Sequence, residues 1–484
     1  MSFPNSARSL NSYMNKPKSL EQLAREAYCN GEEAVVELVH SLGSKLKEEK
    51  HRRGQNSTNS SFPSSRDLDA KKKNNSRKDT GRKSGGQTGH KGSTLRQVPN
   101  PDIILKYSPT NCGCGHTFDG SEEFIDSTRR QVFDIPKPVV TVEEYVSEKY
   151  RCPTCGEIHA GDFPEAVSAA AQYGHRLQAH VVYMMNYQLL PYKRTAEMFK
   201  NLFNISISQG TLRNIQHRFY QKIQDPLDKI KHEILNSNVV HVDETGFRSE
   251  GKRNWLHVAS TDLYTFYFSH HRRGKEAMDD AGILPNYKGL IIHDFWKSYY
   301  QYDECSHSLC NAHHLRDLQG LIDCYGYQWA IQMKAFLSSS KEVVDRAKED
   351  GLLEFDSNTI ESITVIYKDI IDRGIKEVPP PPEKEAGTKG QQKKGKAWNL
   401  LNRFRERPEE ILGFIYDFTI PFDNNQAERD IRMTKVKQKT SGTFRDAEMA
   451  QAFCAARSYI STAIKQDLNV FKTVAAAVQG VFLL

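Results

Sequence analysis

Two acids stand where apolar strand-like runs end. Asp243 follows Val239-Val240-His241-Val242, and Asp294 follows Leu290-Ile291-Ile292-His293. Carboxylates emerging from neighbouring buried strands can hold a pair of Mg²⁺ ions, or Mn²⁺ in their place, about 4 Å apart, the arrangement that activates a nucleophile and stabilises the leaving oxygen in phosphodiester displacement. A third carboxylate must come from elsewhere in the chain. Glu428 qualifies, in a helix that Asp423 or Asn424 would cap, with Asn424, Asn425 and Arg432 three or four residues away and so on the same side. Periodicity alone leaves the triad open. Glu244 points to the opposite face of its strand, Asp262, Asp303, Asp423 and Asp430 are also available, and an acid at a strand end is often only a turn or cap residue.

A second kind of chemistry is written in cysteines. Cys112-x-Cys114 and Cys152-x-x-Cys155 are separated by 37 residues, and Gly156 after the second pair permits a tight knuckle. Four thiolates close a tetrahedron around a structural Zn²⁺ and leave no open position for catalysis. The one-residue spacer of the first pair is short, so His116 or His159 is an alternative ligand. Cys305, Cys310, His313 and His314 admit a second zinc site, but a helix starting at Asn311, with Cys310 and His314 turned toward the active-site layer, is the preferred account.

Recognition chemistry follows the same logic. Arg194 to Phe203 and a second segment beginning at Ser208 read as two helices, with Ala196, Phe199 and Phe203 inward on the first and Leu212, Ile215 and Phe219 on the second. The remaining face of the second presents Gln209, Arg213 and Gln216, suited to base edges or phosphates if the pair is a helix-turn-helix and to nothing special if it is a helical hairpin. Upstream, residues 51–100 hold twelve Lys and Arg against three Asp, a net of +9 that includes Lys71, Lys72, Lys73, Arg82 and Lys83. The whole chain carries only +7, so the rest is nearly neutral. From His51 to Lys91 too few apolar residues occur to offset chain entropy, and the segment is expected to be a disordered arm or linker able to neutralise DNA phosphates.

The elements that would position these groups occupy 484 residues, too many for one ordinary domain. Val35, Val39, Leu42 and Leu46 form a short helical seam, packed on its own domain or pairing as a coiled coil. Residues 102–165 alternate in β-like runs such as Val132 to Ile135 and Val139 to Val142, and residues 175–222 are helical. Buried-type strands follow at 239–242, 255–259, 264–268 and 290–293, then helices from about Asn311 to Glu377 and again from Trp398. Strands mixed with helices give an α/β or α+β layer domain. No internal repeat is visible. Nine cysteines are too few for a disulfide scaffold, no run approaches the roughly 18 apolar residues of a membrane span, and a soluble, intracellular protein is the expectation.

Together these motifs resemble the bacterial DDE transposases of the insertion sequence 66 family, from about residue 56 to 465. The matching stretches are Asn56-Ser57 through Ser64-Ser65, Gly85-Gly86-Gln87-Thr88-Gly89-His90-Lys91-Gly92, the cysteine module, and Tyr187-Gln188-Leu189-Leu190-Pro191-Tyr192 leading into Gly210-Thr211-Leu212. They continue with Val242-Asp243-Glu244-Thr245, His293-Asp294 before Tyr299, Cys310-x-x-His313 and Asp423-Asn424-Asn425-Gln426-Ala427-Glu428-Arg429. The resemblance implies a ribonuclease-H-like catalytic domain with Asp243, Asp294 and Glu428 as its acids, which selects Asp243 over Glu244. The 134 residues from Asp294 to Glu428 far exceed one crossover helix, so an inserted subdomain is required on geometric grounds as well. The Cys112-x-Cys114 spacing departs from the family's two-residue spacer.

The expected architecture is therefore an α/β multidomain chain. It comprises an N-terminal helical segment (1–50), the basic arm (51–100), a zinc-binding β module (101–165), a helix-turn-helix region (166–232) and the catalytic domain (233–484) with a helical insertion at about 311–420. The implied activity is binding of an element's terminal inverted repeats, two-metal-ion strand cleavage and strand transfer. Arg429, Arg432, Lys435, Lys437 and Lys439 follow Glu428 closely enough to hold the scissile strand's phosphates, and Trp296 or Tyr299 would stack an unpaired base or belong to the core. Double-stranded DNA, a homo-oligomer assembled on it and small accessory proteins are the implied partners, in a cytoplasmic, nucleoid-associated setting. A zinc-dependent DNA-binding protein, or a nuclease that hydrolyses without joining strands, is the alternative on the same scaffold.

Overall fold

The computed structural model describes residues 19–56, 59, 95–135, 140–378, 380–381 and 395–484. The arm residues Lys71, Lys72, Lys73, Arg82 and Lys83 lie outside them. The chain divides into two compact units, one formed by residues 1–70, 171–197 and 207–484, the other by residues 71–170 and 198–206.

In the first unit the chain starts with α1 (Leu20–Cys29), opened by a reciprocal capping box between Ser19 and Gln22, and α2 (Glu32–Gly54), which packs on a later helix. Of the sequence-predicted seam on α2, Val39 and Leu46 are exposed.

The second unit contains β1 (Lys149–Arg151) and β2 (Ile158–Ala160), paired antiparallel with Tyr150 opposite His159. Here the β-rich expectation is corrected. The described parts of Val132 to Ile135 and Val139 to Val142 form no strand, and Val132 is 92% exposed. β-branched residues favour strands only where a half-buried surface receives them, and this module has little core to offer.

Back in the first unit, α3 (His175–Val182) runs into a π-helical turn, Tyr183–Tyr187, and α4 (Tyr192–Phe203) crosses from one unit's residues to the other's. Ser208 caps α5 (Gln209–Lys222) by accepting from Thr211 N–H, and Leu212, Ile215 and Phe219 are buried as the periodicity required. α6 (Gln224–Leu235) leads to the sheet.

β3 (Val239–Ser249) and β4 (Lys252–Ser260) form a long hairpin whose two turn residues, Glu250 and Gly251, both have positive φ (53° and 73°). That turn matches the right-handed twist of paired strands. β5 (Thr265–His270), α7 (Lys275–Ala281), β6 (Leu290–His293) and β7 (Ser306–Leu309) complete a five-stranded mixed sheet of order β5-β4-β3-β6-β7. β4 pairs antiparallel with both β5 and β3, while β6 pairs parallel with β3 and β7 parallel with β6.

After the sheet come α8 (Asn311–Tyr325), α9 (Gln328–Glu349), α10 (Ser357–Glu377), α11 (Lys396–Glu406) and α12 (Pro408–Tyr416). They enclose a core of their own around Trp329, Leu337, Tyr367 and Phe404, with the Tyr367 hydroxyl donating to Phe404 O at 2.6 Å. The chain then returns to the sheet as α13 (Asn425–Ser441), α14 (Ala447–Lys465) and α15 (Val470–Val478). Phe247, Leu256, Val258 and Tyr267 of the sheet pack against Ala427 and Ile431 of α13 and Ala450 and Cys454 of α14. α14 also satisfies the edge strand, since Ser458 Oγ accepts from Tyr267 N–H and Thr462 Oγ1 from Thr265 N–H. An edge so occupied offers no ladder to a stray strand.

Candidate active site

β3 does not stop at Asp243, as its apolar run suggested; pairing with β4 carries it to Ser249 and leaves Asp243 in mid-strand. The parallel register supplies what a strand end was expected to supply. Val239 faces Leu290, Val240 faces Ile291 and His241 faces Ile292, so two residues further on Asp243 and Asp294 stand side by side on adjacent strands. Neighbouring strands lie about 4.8 Å apart, which makes this pair close enough to share ligands.

Glu428 is brought to them by an anchor at the start of α13. The side chain of Asn424 does not cap its own helix. It is buried and turned into the sheet, where Nδ2 donates to Val242 O at 2.7 Å and Oδ1 lies 2.9 Å from His241 Nδ1. Capping passes to Asp423, whose Oδ1 accepts from Asn425 N–H at 2.9 Å. Glu428 follows Asn424 by four residues, one turn along the same face.

The electrostatics agree. Burial, then the negative charges of Glu244 and Asp294 and, more weakly, of Glu428, push the Asp243 carboxyl well above the usual range. Asp294 is raised by burial too, against the Trp296 N–H that donates to its Oδ1 and against Arg273 and Arg403. Among the described residues no cation forms an ion pair with Asp243 or Asp294. Oxygen-only donors carrying uncompensated charge are the ligand set that hard divalent ions take, so the residues fit Mg²⁺ or Mn²⁺.

Around Glu428 lie groups that no motif identified as its partners. Arg316 Nη2 donates to Glu428 Oε1 at 3.3 Å, and His313 Nδ1 is 3.7 Å from the same oxygen. Cys310, His313 and Glu428 place one ligand atom each within 4.8 Å of one another. Burial holds the Cys310 thiol up at about 12 and His313 down at about 3, so both are neutral, and the Cys310 sulfur accepts from Asn424 N–H. Cys305 and His314 stay outside this group: Cys305 is turned toward Leu284 O and Tyr287 O, and His314 Nδ1 pairs with Asn311 Oδ1.

Glu244, beside Asp243, belongs to the other face of β3. Its Oε1 accepts from Arg273 Nε at 2.9 Å and from Arg273 Nη2, and its Oε2 accepts from the Tyr299 hydroxyl. Tyr299 is therefore a core residue, while Trp296 remains partly exposed.

The residues expected to meet DNA divide. On α13, Arg429, Arg432, Lys435 and Lys439 are exposed, Lys435 with its Nζ donating to Gly246 O. Lys437 is not. It is 9% exposed, and its Nζ donates to Met185 O and Leu190 O at 3.2 and 3.4 Å, bracing the π-helical turn. Gln216 is also corrected: it is 8% exposed, on a helix packed by both α14 and α3, whereas Gln209 on the same helix stays exposed. Arg213 is reachable but held at 2.7 Å by Glu448, with Asp446 at 3.5 Å.

In the second unit both cysteine pairs sit in knuckle turns. Cys112 O accepts from Gly115 N–H and Cys152 O from Gly156 N–H, with Gly115 and Gly156 at φ of 97° and 80°. Hydrogen bonds within the second turn hold the Cys152 thiol down to about 7, and those of the first lower Cys114. Thiols so disposed suit Zn²⁺. Among the described residues the atoms drawn together are those of Cys155, Glu157 and His159, and no such group joins sulfurs of the two pairs.

Among the described residues no helix is long and apolar enough to cross a membrane. No curated protein matches the chain. Two family models do: one described as zinc-finger binding domain of transposase IS66, over residues 109–156, and one described as Transposase IS66 family, over residues 170–452.

Proposed function

Since the chain belongs to the IS66 transposase family, we propose that it is a DNA transposase that cuts and joins strands at Asp243, Asp294 and Glu428. The observation that carries this reading is the convergence of three acids from distant parts of the chain, two through the β3–β6 register and the third through the Asn424 anchor. The sheet order, three antiparallel strands followed by two parallel ones, supports the ribonuclease-H-like reading of the domain.

Bound by these carboxylates, divalent ions would supply Lewis-acid stabilisation of the transferring phosphate and lower the pKa of an attacking water or hydroxyl. The chain's own part is positioning. Asp243 and Asp294 are fixed by the sheet and by backbone N–H donors from Glu244 and Trp296. Glu428 is held by Arg316, with His313 Nδ1 lying 3.7 Å from the same oxygen. Water releases a 3′-hydroxyl at the element's end, and that hydroxyl then displaces a phosphodiester oxygen in target DNA, so phosphorus never bonds to protein. Arg429, Arg432 and Lys435 line the exposed side of α13 beyond Glu428 and are the proposed phosphate contacts; Lys437 is not among them. The zinc-finger region, α4 with α5 including Arg213, and the basic arm with Lys71, Lys72, Lys73, Arg82 and Lys83 are assigned to binding DNA, and a homo-oligomer to bridging the two ends.

The test is strand cleavage and joining on a duplex carrying the inverted repeats that flank the reading frame. Asp294→Ala should abolish Mg²⁺-dependent cleavage while DNA still binds. Unchanged cleavage would refute the assignment, and nicking without joined product would point to a hydrolytic nuclease.

A further inference from the structure

On the Glu244 face of the sheet, opposite that of Asp243, runs a ladder of alternating cations and indoles that reaches Asp294 at one end and that neither the three carboxylates nor the family match accounts for. The Arg253 guanidinium lies 4.5 Å from the Trp255 ring centre, and that of Arg273 lies 4.9 Å from Trp255 and 4.2 Å from Trp296. Trp296 is two residues past Asp294 and donates its backbone N–H to that carboxylate. The four residues come from β4, the loop before α7 and the loop after β6, so separate parts of the chain build one continuous surface.

Two details show how the ladder is held. Gly246 is paired opposite Trp255, and a Cβ there would already touch Arg253 Nε at 3.4 Å and Trp255 Cζ3 at 3.7 Å, so the bare backbone leaves the space these groups occupy. Glu244 binds Arg273 through Nε and Nη2, fixing one edge of the guanidinium while the Arg273 side chain stays 39% exposed. Arg253 is exposed, and Trp255 and Trp296 are partly so. A cation–π stack serving only to glue a hairpin would not need to reach an acid of the reaction centre.

We propose that Trp296, Arg273, Trp255 and Arg253 form a track for single-stranded DNA leading away from the scissile phosphate, with an unpaired base stacked on Trp296 and backbone phosphates on the two guanidiniums. Indole faces accept any base and guanidiniums neutralise the backbone, the pairing that single-strand-binding surfaces use. The track deepens the transposase reading and rests on it for the direction of the strand. It gives Asp294 a cationic neighbour in Arg273, which eases the approach of a polyanion to that carboxylate.

The experiment uses the full, zinc-loaded chain in buffer without Mg²⁺ or Mn²⁺ and a single-stranded oligodeoxynucleotide carrying 2-aminopurine, whose fluorescence is quenched by stacking and not by phosphate contacts. The wild type should quench the probe. Trp296→Ala should lose the quench and weaken binding roughly 5- to 150-fold, the span measured for single base–aromatic stacks. Trp296→Phe should restore most of both, and Trp398→Ala should behave as wild type. Quenching unchanged in both Trp296→Ala and Trp255→Ala overturns the track. So does equal loss in Trp296→Ala and Trp296→Phe accompanied by a lower unfolding midpoint, since the indole would then serve only the fold. Asp294→Asn keeps the two ideas apart: it should stop cleavage yet leave the quench intact, so a failed track and a failed catalytic assignment give different results.

Discussion

Asn424 is the residue whose loss should cost most for its size. Val242 O can only accept, so the amide must present Nδ2 to it and Oδ1 to His241; His241 therefore carries its proton on Nδ1. Burial lowers the His241 pKa and keeps the ring neutral. Asn424→Ala removes both bonds and strands a buried carbonyl and a buried ring N–H, each worth about 1–3 kcal/mol when left unpaired. The space vacated admits a water that restores part of this, so the expected loss is about 2–4 kcal/mol. The chain has four tryptophans, Trp255, Trp296, Trp329 and Trp398, all in the unit that carries the acids. Urea unfolding followed by tryptophan fluorescence thus reads that unit alone, and a lower midpoint at unchanged slope measures the loss directly. Because Asn424 also sets the start of the Glu428 helix, DNA cleavage should fall by roughly 100-fold, the effect of about 1 Å of misplacement. A destabilisation under about 0.5 kcal/mol, the level of an ordinary surface change, with cleavage intact would refute the anchor.

Asp294→Asn and Glu428→Gln should each lower Mg²⁺-dependent cleavage by about 100- to 1000-fold, the scale of removing one preorganised electrostatic group, with DNA retention in a gel shift unchanged. Lys437 has its pKa lowered by burial from 10.5 to about 8. Between those values the unfolded chain binds more protons than the folded one, so this group makes stability rise with pH across that window; the rise should be absent from the stability curve of Lys437→Met and appear in the wild-type-minus-variant difference. Iodoacetamide at pH 7, followed by mass spectrometry, should modify Cys152 of metal-stripped protein faster than an ordinary thiol with a pKa of about 8.5, and Zn²⁺ should suppress that reaction. Glu448→Gln should tighten duplex binding at low salt by releasing Arg213, and equal affinity of variant and wild type would remove Arg213 from the DNA-facing set.

What the sequence made legible was local. The runs ending at Asp243 and Asp294 and the inner stripe Leu212, Ile215 and Phe219 are nearest-neighbour patterns, and the folded chain keeps them. β7 was missed because Ser306-His307-Ser308-Leu309 has neither an apolar run nor β-branched residues; its partner β6 makes it a strand. Gln216 and Lys437 were placed on open faces because a helical pattern reveals the most apolar face and is silent about a second neighbour covering the polar one. Glu428 needed the family resemblance, since 134 residues and an inserted helical core separate it from Asp294. Its companions His313 and Arg316 carry no periodic signal at all; only the fold brings α8 and α13 together.

The choice between Asp243 and Glu244 can be argued afresh from how the protein distributes its own cations. Adjacent residues on a strand face opposite ways, so these two carboxylates meet different neighbours. Glu244 is already satisfied, with Arg273 on one oxygen and the Tyr299 hydroxyl on the other, and its side chain is only 2% exposed. Recruiting it as a metal ligand would mean breaking an ion pair and a hydrogen bond and leaving a guanidinium without its anion. Asp243 accepts one backbone N–H from Glu244, has no cation paired with it, and is pushed by burial and the neighbouring acids toward its protonated form. Only a proton has to leave before it can bind a cation. The chain thus supplies internal charge compensation to Glu244, which structures the site, and gives Asp243 and Asp294 no ion-pair partner of their own, while Glu428 keeps Arg316 at 3.3 Å.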